Sequence, residues 1–172
     1  MFGVREVFEQ SRSKEGCVYL GKVETRIKEI LMDAQQQIQE KNIPLQDGEV
    51  DVDAWAESLG YRVEDGQLMD GDLRAVAISP GYGAGWSTWS DFSPLDPVVN
   101  LIILTLHDAS SADEFQELYS FILGPDTAND VSVSRFGMKN IEIEWVHKDR
   151  QFRVEEYDGD EYIEYKDEQR WL

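Results

Sequence analysis

Glycines 81, 83 and 85 stand at alternate positions directly after Pro80, interleaved with Tyr82, Ala84 and Trp86. No ordinary helix or strand runs through such a segment, because proline removes a donor and glycine leaves the backbone free to reach positive φ. The chain must turn there, so the fold is divided near its middle. Residues 74–79 (RAVAIS) read as a buried strand that delivers the chain to this corner. Asp96-Pro97 starts the next element, with Asp as N-cap and Pro at the first helical position.

The elements on either side follow from spacing. Leu20, Val23, Ile27, Ile30, Leu31, Ala34 and Ile38 recur at three and four residues, which predicts a helix with one apolar stripe. That stripe either packs against its own domain or joins copies of the chain into a homo-oligomer through residues 20–38. Residues 52–60 predict a short helix closed by Gly60, followed by a strand at 61–63 and a turn at Asp65-Gly66. The apolar run 98–106 fits a helix or a central strand, and the helix start before it favours the helix. Ser111 and Glu114 form a capping box ahead of a helix carrying Phe115, Leu118, Tyr119 and Ile122, stopped by Gly124-Pro125. Residues 140–147 alternate as a half-buried strand, and 152–157 and 162–166 flank the hairpin signal Asp158-Gly159. The C-terminal region therefore reads as an antiparallel meander. The expected class is α+β: an N-terminal helical element over residues 1–45, then an acidic domain over 46–172 with a mainly antiparallel sheet and two or three helices.

Charge limits the partners. The chain carries 35 acidic and 16 basic side chains, a net of −19, and the excess lies entirely beyond residue 45. Direct binding of nucleic acid or of an anionic membrane needs a broad basic face, so neither is expected. The run 98–106 is about half the length of a membrane span. No signal peptide is legible at the N-terminus. With Cys17 as the lone cysteine, there is no internal disulfide framework, and a reducing cytoplasm is the expected compartment. His107 and His147 are the only imidazoles, and no G-x-S-x-G turn accompanies them, so no catalytic residue is assigned. The acid groups at Asp47, Asp51 and Asp53, and at Asp158 and Asp160, lack calcium-loop spacing. No metal or cofactor is expected.

The glycine–aromatic run is the candidate site. Its N–H groups, among them those of Gly83 and Gly85, can form an anion-binding nest without lysine. Ser87 and Thr88 add hydroxyl donors, and Tyr82, Trp86 and Trp89 offer flat surfaces for stacking a base. Arg74 and Arg135 are the only bases between residues 63 and 138, so either one can neutralise a phosphate. Neither G-x-G-x-x-G nor Gly-Lys-Ser/Thr is present. The alternative is structural: the aromatics plug the core while the glycines form a tight corner.

The string GYGAGWSTW, together with Val154-Glu155-Glu156-Tyr157-Asp158-Gly159, resembles small uncharacterised bacteriophage proteins. Those proteins carry a Tyr-Gly-rich loop, a following Asp-Pro helix start and a closing EEYDG strand; the likeness includes none of residues 1–45. The resemblance implies a phage accessory protein that counteracts host defence, and it supplies no catalytic residue. Joined to the loop chemistry, it leads to a non-enzymatic protein that binds and sequesters a nucleotide-type small molecule. The alternative is an acidic, DNA-mimicking inhibitor that docks on a host nucleic-acid or defence enzyme. Its acids would be Glu155, Glu156, Asp158, Asp160, Glu161 and Glu164, standing in for spaced phosphates.

Overall fold

The stripe predicted over residues 20–38 lies on α1, Lys14–Glu40, and its C-terminal half points inward. Ile30, Ala34 and Ile38 are buried in the main core, where α1 packs against α4, Ala112–Leu123. Of the two readings of this stripe, packing within the chain is therefore where these three residues are used. The computed structural model describes residues 14–46, 49–81, 85–106, 111–124 and 140–166.

Turn chemistry organises the strands. After the short pairing of β1, Leu45–Gln46, with β2, Glu49–Val50, Asp51 caps helix α2, Val52–Ser58, by accepting from the Ala54 N–H at 2.9 Å. Gly60, at φ +87°, closes that helix in a Schellman arrangement: the Tyr61 N–H reaches the Ala56 carbonyl and the Gly60 N–H the Glu57 carbonyl. Asp65 and Gly66 both adopt positive φ, the twist a two-residue hairpin requires, and join β3, Arg62–Glu64, to β4, Gln67–Asp70. Strand β4 was not foreseen, because four residues carry too little alternation. Gly71 then turns the chain into β5, Leu73–Ile78.

The C-terminal meander is corrected. Strand β6, Glu142–His147, leaves its sequence neighbours and pairs antiparallel with β5 along its whole length. Strands β7, Phe152–Tyr157, and β8, Asp160–Tyr165, form a separate two-stranded sheet around Asp158-Gly159. The main sheet has the order β3-β4-β5-β6, so β5 bridges the two halves of the chain.

Side-chain alternation on β5 assigns the layers. Ala75 and Ala77 face the helices and join the main core, where α3, Pro97–Thr105, and α4 pack. Val76 and Ile78 point the other way and, with Val146, receive Phe152, Val154, Ile163 and Tyr165 of the hairpin. The described residues thus form three layers of an α+β fold, with helices on one face of the sheet and the β7–β8 hairpin on the other. Among them, no helix is long and apolar enough to cross a membrane.

Helix α3 begins as predicted: Asp96 accepts from the Val98 and Val99 N–H groups. Its second oxygen accepts the Tyr119 hydroxyl at 3.0 Å, which ties the start of α3 to α4. Burial, and then the Asp96 carboxylate, pushes the Tyr119 phenol well above its ordinary value of 10.0. Folding therefore favours the neutral phenol. Its contribution is full below pH 10.0 and is lost as pH rises beyond that toward the folded-state value. Urea midpoints measured from pH 9 to 11 should fall in the wild type and fall less in Tyr119→Phe. Equal slopes would count against this linkage.

Candidate functional site

An internal carboxylate fills the corner that the glycines create. Glu161, only 1% exposed, enters from β8. Its Oε2 accepts from the Ser79 N–H at 2.9 Å and the Ser79 hydroxyl at 3.0 Å. Its Oε1 accepts from the Thr88 N–H at 2.7 Å and the Thr88 hydroxyl at 2.9 Å. Ser79 Oγ accepts in turn from the Trp86 N–H at 2.8 Å. The hairpin turn completes the seam: Asp160 takes the Gly81 N–H at 2.6 Å, and the Gly159 carbonyl takes the Gly85 N–H at 2.5 Å. Buried donors need acceptors, and the chain supplies its own.

This takes Gly85 and Thr88 out of the expected phosphate cradle. The N–H groups of Gly85 and Thr88 are committed internally, and so is the Thr88 hydroxyl. Gly85 serves a different need: it has φ +54°, and a Cβ there would lie 2.7 Å from Trp89 Cε2. The Trp89 ring covers its backbone while remaining 48% exposed. Trp86 is corrected as a stacking surface. It is 0% exposed, 5.9 Å from Phe92 and 5.4 Å from Phe115 between ring centroids. Such a ring is core, and no base can reach it. Tyr82, Gly83 and Arg135 lie outside the described residues, as does His107.

Three of the expected residues, Arg74, Ser87 and Thr88, do converge, on a cleft of about 890 Å³ beside the loop. That volume is within the range of small-molecule sites. Residues 93–95 form one wall, and Phe152, Arg153 and Val154 of β7 form another. Glu164, Lys166 and Gln151 complete the lining. Arg74 enters because its alternation on β5 puts it on the hairpin side with Val76. Its guanidinium stacks 4.7 Å from the Phe152 ring centre, and its Nη2 donates to the Arg150 carbonyl. Its Nε–H is buried without an acceptor among the described residues.

The neighbouring charges differ from Arg74. Arg153 is exposed and bonded to Glu164 and Glu155. Hydrogen bonding to Glu164 raises its pKa. Lys166 donates from Nζ to Gln151 Oε1 at 2.8 Å. Away from the cleft lining on β6, burial and then the charge of Glu142 hold Glu144 above the usual carboxylate range, against the opposing hydrogen bond from Tyr165. His147 is exposed; its Nδ1 accepts from the Asp149 N–H at 3.3 Å and lies 3.7 Å from the Asp149 carboxylate. Among the described residues no group of three or more His, Cys, Asp or Glu side chains is arranged to hold a metal.

Sequence reasoning missed the β7 wall. Alternation places Phe152 and Val154 on one face of a strand, but nothing local says that this face lies over Arg74. No protein-family model matches the chain, and no match was found among the curated proteins or the solved structures.

Proposed function

We propose that the protein binds and sequesters a nucleotide-type small molecule in the cleft beside the glycine loop, as a phage-type accessory protein in the host cytoplasm. One observation carries this reading: in a chain of net charge −19, Arg74 has no carboxylate partner among the described residues and borders a cleft of ligand size. A guanidinium fixed on an aromatic ring is suited to an oxyanion and resists replacement by lysine. Leu95, Phe152 and Val154 supply apolar wall for a flat ring, and Ser87 supplies a hydroxyl. The binding surface thus moves from the loop itself to the space between the loop and the hairpin.

The acidic-inhibitor alternative has fewer carboxylates to present than the sequence implies. Glu161 is buried, Asp160 and Glu156 accept from backbone N–H groups, and Glu155 and Glu164 contact Arg153. Those groups are engaged at home, so the cleft supports the better reading.

Native mass spectrometry of protein purified from bacterial cells should show a released mass of a few hundred daltons on unfolding. Ser93→Trp, at an exposed position lining the cleft, should abolish that mass with only a small fall in melting temperature, since the one hydrogen bond lost, from the Leu95 N–H, is exposed. A co-purified ligand retained in the Ser93→Trp variant would overturn the assignment to this cleft.

A further inference from the structure

We infer that the cleft selects a ligand carrying a single negative charge, a phosphodiester or a carboxylate on a flat ring, over a polyphosphate. This rests on the nucleotide-type reading and narrows it. The cleft lining holds three cations, but they are not equivalent. Arg153 is taken up by Glu155 and Glu164, and Glu164 itself borders the same space. Lys166 is exposed, where its charge is screened. That leaves Arg74 as the one guanidinium in the lining with no carboxylate opposite it among the described residues.

Its geometry sharpens the argument. Nη2 is held by the Arg150 carbonyl and the plane is held by Phe152, so the fork cannot swing to follow several phosphates. One oxyanion can meet a fork held in this way. A second and third phosphate would extend toward Glu164 and into the field of a strongly acidic body, where each added charge is repelled. Desolvating those extra charges in a site walled by Leu95, Phe152 and Val154 adds to the cost. Selection therefore comes from one fixed cation inside an anionic protein, which rewards the first negative charge and penalises those that follow.

The test is calorimetric titration of the full chain with 3′,5′-cyclic AMP, ATP and nicotinate at one ionic strength. Cyclic AMP should bind at least about tenfold more tightly than ATP. Arg74→Gln should weaken cyclic AMP by about tenfold to a hundredfold, the loss expected for a hydrogen bond to a charged group. If that variant fails to fold, Arg74→Lys keeps the charge but loses the fork, and it should still weaken binding severalfold. Nicotinate alone binding would support the single-charge rule while overturning the nucleotide reading. ATP binding as tightly as cyclic AMP would overturn the rule and leave the nucleotide reading standing. Failure of all three probes to bind at millimolar concentration would overturn both.

Discussion

Trp86→Ala is expected to destabilise the protein by about 3–5 kcal/mol, the usual loss when a large buried aromatic is truncated. For a chain of this size each kcal/mol lowers the melting temperature by roughly 2–4 °C, so a fall of roughly 6–20 °C is expected. The cause is the cluster around the ring. Phe92 stacks on Trp86 at 23° between planes, Phe115 meets it edge-on, and Phe92 also touches Tyr119 at 4.7 Å between centroids. Removing the indole opens a cavity that three aromatics on the loop and α4 cannot close together. Trp86→Phe should cost much less, since the buried Nε1–H has no partner among the described residues and its loss breaks no hydrogen bond. Thermal unfolding of both variants checks this. A near-native melting temperature for Trp86→Ala would show that the ring is not core.

Glu161→Gln is expected to cost about 3–4 kcal/mol, although the side chains are nearly the same size. The carboxylate accepts four hydrogen bonds, and all four donors belong to Ser79 and Thr88. An amide presents one oxygen and one NH₂ group, so one pair of donors faces another donor. Each stranded buried group costs about 1–3 kcal/mol. Glu161→Ala strands all four but leaves room for a small anion. Added formate or acetate should therefore recover part of its melting temperature more than it does for the wild type. Equal responses in the two proteins would remove the carboxylate from its role as the tie between loop and hairpin.

Legibility in the sequence followed distance. The caps at Asp96 and Ser111, the Gly60 ending and the Asp158-Gly159 turn depend on neighbours within a few residues, and each formed as read. The run 98–106 stayed ambiguous because Val98 through Ile103 are all buried; a helix covered on every side shows no polar face to set its period. Strand β6 alternates in the same way whether its partner is β5 or β7, so the division into two sheets had no local signature. The loop posed the harder case. Its glycines and aromatics looked the same whether Trp86 pointed inward or outward, and its N–H groups looked open until Glu161 was placed against them. Arg74 stood out by the scarcity of bases around it, while the wall it shares with Phe152 depended on how the hairpin folds back.

The hydrogen bonds from Ser79 to Glu161 span 82 residues. During synthesis, the corner leaves the ribosome long before the acceptor that completes it. At bacterial to eukaryotic elongation rates of about 5–20 residues per second, that interval is roughly 4–16 seconds. Water must serve the Ser79 and Thr88 donors meanwhile, and the sheet face bearing Val76 and Ile78 stays uncovered until β7 and β8 arrive. The wall that Phe152, Arg153 and Val154 place over Arg74 comes into being only in that final stage. A chain that has not made its hairpin has no closed cleft beside Arg74, so anything the cleft does waits on completion of the fold.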